Sequence, residues 1–453
     1  MSVPTDLDYA LDDHGTERPI AEIARSFTLD PRIPALVPGF DAPFFQAGLA
    51  GYSDGAMRLI ARRHGCPFCV TEALLDQTLI NGGKGRTRED PDLLAEECGT
   101  GDPDENIPGS ARGLVDHPIA GQIMGTFPDQ MARGSLLLVG MGHDVIDVNL
   151  ACPVKKIRRR SRGGHFLMDP VGAIEVLRAV RQAVPSHVPC TVKLRRAWDD
   201  TPEMARHFER IFEAAYELGY AWATVHCRTV VQKYHGPGRW SFLRDLTRRY
   251  PDRLIFGSGD VWRVEDIFAM LDLTGVHAVS VARGCIGNPW IFRQARELMS
   301  GMRMAGGTPA PLTPTPPMSA TPTREVSRDR QGAYDPHEVS RDRQGADDPH
   351  EMNRDHEGAY DPHEVSRDRQ GADDPFTPTP PTIDEQRQAL LEHFDLAVAL
   401  HGERSASQQM RKFGIKFSRH HPRGEQVKAE FIRCKTVADW RAVVERWYAN
   451  LSE

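Results

Sequence analysis

The sequence predicts an α/β protein: a (β/α)8 TIM barrel, then a small C-terminal α-helical domain, with a disordered repeat insertion between them. Three observations point there. Over residues 44–284, eight short apolar or β-branched runs alternate with amphipathic stretches whose apolar spacing is near 3.6. Polar residues gather at the C-terminal ends of those runs. From about 306 to 381 apolar residues nearly vanish, and helical patterning resumes at Ile383. The expected units are an N-terminal extension (1–36), the barrel (37–305), the insertion (306–381) and the helical domain (382–453).

The candidate strands are Phe44–Gln46, Phe68–Glu72, Ile119–Met124, Val145–Asn149, Thr191–Leu194, Ala223–His226, Leu254–Gly257 and Ala278–Ala282. The helices between them include Gly55–His64, Pro170–Val184, Met204–Leu218 and Val264–Leu271. A doubly wound sheet gives a similar alternation, so the barrel rests on strand number and on what lies at the strand ends. Glu72, Gln122, Asn149, Cys152, Lys193, Arg195, His226, Asp260 and Arg283 fall there, on seven different strands. In a barrel those ends converge on one face, where active sites lie. Gly257-Ser-Gly-Asp260 follows strand seven, and Ala282-Arg-Gly-Cys-Ile-Gly287 follows strand eight. At those positions barrels hold phosphate with backbone N–H groups, which points to a phosphorylated cofactor.

The insertion contains a tandem repeat of period 13, whose copies begin at Glu325, Glu338, Glu351 and Glu364. With almost no Leu, Ile or Phe, it cannot bury enough apolar area to offset its ordering entropy. It also dominates the charge. Residues 325–376 hold 7 Arg against 15 Asp and Glu, a net −8, so the chain total of −7 leaves +1 for everything else. The acidic total therefore does not argue against a nucleic-acid partner. No run of about 18 apolar residues is present, and the N-terminus has neither a basic nor an apolar stretch, so neither a membrane span nor a signal peptide is expected. Eight scattered cysteines fit a reducing compartment, hence the cytoplasm. Cys66-Pro-Phe-Cys69 is the one CxxC, and without a second pair it reads as packing rather than as metal or redox chemistry.

The reactive candidate is Cys152, just past strand four in Asp147-Val-Asn-Leu-Ala-Cys-Pro153. A thiol there can be nucleophile, general acid or filler. Lys155, Lys156, Arg158, Arg159, Arg160 and Arg162 place six cations in eight residues beside it. So dense a run at a site mouth suits the phosphates of a polyanion, the alternative being a solvated basic loop. The C-terminal segment is helical by pattern at Gln386–Leu400, Ser405–Phe417 and Val437–Ala449, and Met410-Arg-Lys-Phe-Gly-Ile-Lys416 clusters more cations around an aromatic.

Along 44–299, and more loosely 383–453, the chain resembles the tRNA-dihydrouridine synthase family. The matching motifs are Ala47-Gly-Leu-Ala-Gly-Tyr-Ser-Asp54 with Arg58, Thr71-Glu72, Gln122-Ile-Met-Gly125, Asn149-Leu-Ala-Cys-Pro-Val-Lys-Lys156, Thr191-Val-Lys-Leu-Arg195, His226-Cys-Arg-Thr229, Gln232-Lys-Tyr-His-Gly236 with Trp240, Gly257-Ser-Gly-Asp260 and Ala282-Arg-Gly-Cys-Ile-Gly-Asn-Pro-Trp290. The resemblance implies an FMN-containing barrel that reduces uridine in tRNA to 5,6-dihydrouridine with NADPH. By motif, Gly48, Leu49 and Ala50 would line the flavin ring, and Gln122, Lys193 and His226 would contact the ring or its side chain. Ser258, Gly259, Asp260, Ala282 and Arg283 would hold the phosphate. Cys152 would be the general acid at uracil C5. Asn149 would seat the uracil, with Arg195 and Tyr234 as further substrate candidates, and Lys155, Lys156, Arg158, Arg159 and Arg160 would face the tRNA backbone. The chain departs from the family pattern at Gly48-Leu49, Ala151, Ser258 and Ala282. No metal and no stable protein partner is expected, and the protein is expected to be monomeric. The competing readings are a barrel flavoenzyme acting on a free pyrimidine or enone, and a non-catalytic RNA-binding barrel. If the insertion is a spacer, deleting 306–381 leaves the thermal midpoint within a few degrees and flavin absorbance intact; loss of either would make the repeat structural.

Overall fold

A computed structural model of the chain describes residues 16, 18–81, 116–154, 162–302 and 380–449. The 13-residue repeats, the Pro/Thr-rich segments through 379 and the basic run Lys155–Arg160 lie outside the described residues.

Nine parallel strands form one sheet: β1 (Phe44–Gln46), β2 (Cys69–Val70), β3 (Leu74–Leu75), β4 (Ile119–Met124), β5 (Val145–Leu150), β6 (Cys190–Arg195), β7 (Trp222–His226), β8 (Ile255–Ser258) and β9 (Ala278–Val281). β1 pairs with both β2 and β9, and β2 also pairs with β4. From β4 each strand through β9 pairs with the next, so eight strands close a ring and β3 adds a short pairing at the end of β4. Around the barrel lie α1 (Ile20–Ser26), α2 (Arg32–Leu36), α3 (Gly55–Arg63), α4 (Asp76–Ile80), α5 (Pro128–Gly140), α6 (Pro170–Ala183), α7 (Pro202–Glu217), α8 (Trp240–Arg249), α9 (Val264–Thr274) and α10 (Trp290–Ser300). Side-chain caps start several of them. Asp54, Asp169 and Thr201 accept from the backbone N–H groups of Met57, Gly172 and Met204, satisfying donors a helix start leaves open.

The second strand departs from its expected extent. Phe68–Glu72 is not one strand, because pairing stops after Val70 and resumes at Leu74. The break is bridged by a side chain: the Gln122 N–H donates to Thr71 Oγ1 at 2.9 Å. Such a substitution cannot be read from the apolar pattern, to which Thr71 fits as a β-branched strand former.

Two apolar layers follow from strand alternation. One cluster (Phe45, Phe68, Val70, Ala120, Val145, Trp222, Phe256 and Ala278, with Phe40, Ile33 and Val37) takes inward residues of seven of the eight ring strands, all but β6, and plugs the barrel end opposite the loops. The other lies between strands and helices. Cys66 and Cys69 sit in that outer layer, fully buried with sulfurs 3.8 Å apart, in keeping with packing. Among the described residues no cluster of three metal-ligating side chains occurs, and no helix is long and apolar enough to cross a membrane.

The C-terminal segment forms α11 (Ile383–Phe417), α12 (Gly424–Arg433) and α13 (Val437–Tyr448). The expected pair Gln386–Leu400 and Ser405–Phe417 is present as two helical stretches that meet at Gly402, where φ of 74° and ψ of 161° leave the helical region. These helices dock on the barrel's loop face. His401 Nε2 lies 2.8 Å from Asp54 Oδ2, Arg63 pairs with Glu392 at 2.9 Å, and Arg293 donates to Glu385 at 2.6 Å. Phe413 packs edge-on against Tyr52, and Phe417 against Trp290.

His393 lies buried at this junction against Phe413, and neither ring nitrogen has a hydrogen-bond partner among the described residues. Burial holds its pKa down at about 4, whereas the unfolded chain takes the proton near 6.5. The unfolded state therefore binds more protons between those values, so stability is complete above about pH 6.5 and declines as pH falls toward 4, by at most roughly 3 kcal/mol. His393→Phe keeps the ring packing and should flatten the decline in thermal midpoint between pH 7 and 4; an unchanged slope would place the acid sensitivity elsewhere.

Candidate active site

Inward positions change from apolar to polar toward the strand C-termini. Gln122, Asp147, Thr191, Lys193, Thr224 and Ser280 line one small cavity with Gly48, above the aromatic plug. The parallel register sets them in rows. Gln122 stands opposite Asp147, Asp147 opposite Thr191, Asn149 opposite Lys193, Lys193 opposite Thr224, and Arg195 opposite His226.

Cys152 sits directly above this layer. Of the seven cysteines described, six are buried and Cys152 alone is half-exposed. Its loop is held from below by Asn149, whose Oδ1 accepts the Ala151 and Cys152 N–H groups at 2.9 and 3.1 Å. A short turn, Gly163–Leu167, packs across the loop, and the Gly164 N–H donates to the Cys152 carbonyl at 3.0 Å. Gly163 has a φ of 55°, and a Cβ there would stand 2.8 Å from that of Cys152, so only glycine lets the turn approach. Arg162, which the sequence grouped with the exposed cations, is instead buried, with its guanidinium 4.0 Å from the Asp76 carboxylate. It anchors the end of the basic run and does not project from it.

Two titratable groups stand on adjacent strands at this mouth, Lys193 on β6 and His226 on β7. Burial pushes the Lys193 amine down to about 8, opposed by the negative charge of Asp147, so the ammonium form still dominates at neutral pH. Burial, then the neighbouring Arg195 and Arg228, holds His226 well below its usual pKa. His226 is thus a neutral imidazole. Its Nδ1 accepts the Arg228 N–H at 3.1 Å, which leaves Nε2 as the donor.

Arg195 is buried and bonded to three loop carbonyls, those of Ala151, Thr229 and Lys233, at 2.7 to 3.0 Å. The Tyr234 ring lies between the guanidinium groups of Arg195 and Arg283, at 5.3 and 5.1 Å, and Arg283 in turn stacks on Trp262 at 4.4 Å. These planar groups clamp the loops after β6 to β9 together. At the β8 turn, Gly259 and Asp260 have φ of 119° and 55°. The Asp260 carboxylate accepts from Arg228 Nη2 at 2.6 Å and the Gly238 N–H at 2.7 Å, and lies 3.5 Å from Arg283. That carboxylate thereby fixes Arg228 and Arg283 at the β8 turn.

The residues present fit a flavin phosphate. Ser258 Oγ is buried and finds no hydrogen-bond partner among the described residues. Ser258 ends β8 opposite Ser280 of β9, and after β9 comes the short turn Arg283–Cys285, which starts at Ala282. On the strand next to β9, the loop after β1 has Leu49 buried and Gly48 and Ala50 half-buried, and it is tied by the Leu49 N–H to Ser53 Oγ and the Gly51 N–H to Glu72 Oε2, both at 2.7 Å. A Cβ at Gly48 would stand 2.3 Å from the Thr71 carbonyl oxygen, so the strand edge stays bare above Gln122. Asp147 and Thr191 belong to the site yet are absent from the sequence-based candidates. The readable signal was phase: in Val145-Ile-Asp-Val-Asn-Leu150, Asp147 shares the inward parity of Asn149.

Fold and site together define a closed (β/α)8 barrel with a half-exposed thiol, a half-buried ammonium and the Arg283 guanidinium at one mouth. Residues 45–305 match the family described as Dihydrouridine synthase (Dus). "Probable tRNA-dihydrouridine synthase" of Treponema pallidum is 32% identical over 263 residues, covering 56% of this chain and 71% of that protein. "tRNA-dihydrouridine synthase B" of Shewanella oneidensis is 30% identical over 261 residues, covering 57% and 73%. The chain belongs to the dihydrouridine synthase family.

The Arg228–Asp260 pair is fully buried. Arg228→Met leaves a buried carboxylate without its main counter-charge, and should cost about 3–5 kcal/mol in urea unfolding. A loss under about 1 kcal/mol would show that Arg283 and the Gly238 N–H suffice.

Proposed function

We propose that this protein is a tRNA-dihydrouridine synthase, reducing the C5=C6 bond of a tRNA uridine with NADPH as the electron source and FMN as the resident carrier. What carries the reading is the half-exposed thiol of Cys152 above a polar layer bordered by half-buried Lys193 and neutral His226, in a chain of this family. When bound, the reduced flavin supplies the hydride that adds to uracil C6.

The chain's own residues supply the rest. Hydride addition leaves negative charge shared between C5 and the C4 carbonyl, which a positioned acid must neutralise. The Cys152 Sγ–H holds that proton, which moves to C5 and completes the two-electron, two-hydrogen reduction. An ordinary thiol, with a pKa of about 8.5, is mostly protonated at neutral pH and can do this. Lys193 keeps a positive charge at the centre of the floor, and His226 offers an Nε2–H donor without adding charge. Ser258 Oγ, the backbone at Gly259, Asp260 and Ala282, and Arg283 hold the phosphate. Gly48, Leu49, Ala50 and Gln122 border the ring. Asn149 meets the uracil, while Arg195 and Tyr234 brace the loop around it.

A uridine must leave its stack to reach Cys152, at a cost of a few kcal/mol. Phosphate contacts from Lys155, Lys156, Arg158, Arg159 and Arg160, and from exposed Arg411 and Lys416 on α11, offset that cost. With such a substrate we read the protein as a cytoplasmic monomer. A barrel acting on a free pyrimidine would need neither basic surface.

Cys152→Ala tests the assignment. The variant should purify yellow, with flavin absorbance equal to wild type, and form dihydrouridine in tRNA at least 100-fold more slowly. Undiminished turnover would remove Cys152 as the acid, and colourless wild-type protein would remove the flavin.

A further inference from the structure

Four buried side chains in the floor form one unbranched hydrogen-bond chain. Thr191 Oγ1 donates to Asp147 Oδ1, and Gln122 Nε2 donates to Asp147 Oδ2, both at 2.7 Å. Asn149 Nδ2 donates to Gln122 Oε1, also at 2.7 Å. Asn149 Oδ1 then accepts the two N–H groups of Ala151 and Cys152.

The direction of this chain is set from both ends. A side-chain amide presents oxygen on one side and NH2 on the other, and in isolation either can face a given neighbour. An ionised carboxylate only accepts, so Asp147 compels Gln122 to turn its NH2 toward it. Gln122 then shows oxygen to Asn149, which must answer with NH2 and turn its own oxygen to the loop. From the far end, backbone N–H groups only donate, and they demand the same orientation of Asn149. Reversing either amide sets oxygen against oxygen or donor against donor where water cannot relieve it. Burial raises the pKa of the Asp147 carboxyl, while its bonds from Thr191 and Gln122 and the Lys193 ammonium favour the ionised form the chain requires.

We infer that Asp147, with Thr191 holding its second oxygen, is a positioning residue for Cys152: it dictates the amide polarity that anchors the loop carrying the thiol. The inference deepens the proposed function and depends on it only for the consequence in turnover; the anchoring stands without it.

The polarity can be inverted by design. Asn149→Asp alone sets a carboxylate against Gln122 Oε1, and if Gln122 turns over, its oxygen meets Asp147 instead. Adding Asp147→Asn removes the conflict. The new amide at 147 donates to Gln122 Oε1, Gln122 Nε2 donates to the new carboxylate at 149, and that carboxylate still accepts the loop N–H groups. Amide hydrogen exchange of the peptide spanning 150–153, in the flavin-loaded full-length protein, reads the anchor directly. Exchange should rise at least tenfold in Asn149→Asp and return to within threefold of wild type in the double variant. Should the single variant fail to fold, recovery of soluble protein in the double variant reads the same rescue. A single variant as protected as wild type, or a double variant no better than the single, overturns the polarity. Asp147→Asn alone should lower kcat for dihydrouridine formation three- to tenfold with KM for tRNA within twofold; unchanged kcat would overturn the positioning role. If instead Cys152→Ala keeps full activity, the proposed function falls while the exchange results still stand.

Discussion

A closed parallel barrel has no exposed edge and a narrow interior, so every polar side chain turned inward must find a partner among a few neighbours. That constraint organises this molecule. The apolar plug fills one end, and the layer above it is polar. Because neighbouring strands are in parallel register, polar residues of like phase meet at one height, and they satisfy one another sideways around the ring. The loops are then attached to that ring. Asn149 holds the Cys152 loop, and Thr71 takes up a Gln122 N–H where β2 breaks.

Above the ring, buried arginines take over the same task. Arg195 gathers three carbonyls from two loops, and Arg228 joins the β7 loop to the β8 turn through Asp260. Arg58 and Asp116 form a buried pair at 2.7 Å beneath the first loop. Planar, always-charged guanidinium groups with five donors suit carbonyl-rich loop ends better than lysine would. The result is a mouth held by fixed cations, with the thiol as its one half-exposed cysteine among the described residues. Docking of α11 completes the frame, since His401, Phe413 and Lys412 bear on Asp54 and Tyr52 of the first loop.

Much of this was legible beforehand. The eight ring strands fall where alternation placed them, within a residue or two except at β2, and the barrel helices begin and end near their periodic stretches. Gln122, Asn149, Lys193, Arg195, His226, Ser258, Asp260 and Arg283 do converge on one face. What stayed hidden shares one feature: each depends on a partner far along the chain. The Arg58–Asp116 pair spans 58 residues, the Thr71–Gln122 bond 51, and the contact of Asp54 with His401 347. Asp260 illustrates the consequence. Its motif marks the turn after strand seven, and only neighbours in space could reveal that its carboxylate holds Arg228 and Arg283.

By itself, then, the sequence determined the fold class, the order of strands and helices, the catalytic candidate and the family, because periodicity and motif spacing are local properties written along the chain. The tertiary structure decided which of the polar residues support and which are left to act. Arg162 turns inward to Asp76, Tyr234 lies between two guanidinium groups, and Asp147 joins the site. Those outcomes hang on strand register and on the partners it delivers. A side chain's role is set by which of its hydrogen-bonding atoms remain uncommitted, and that is known only once the ring has closed.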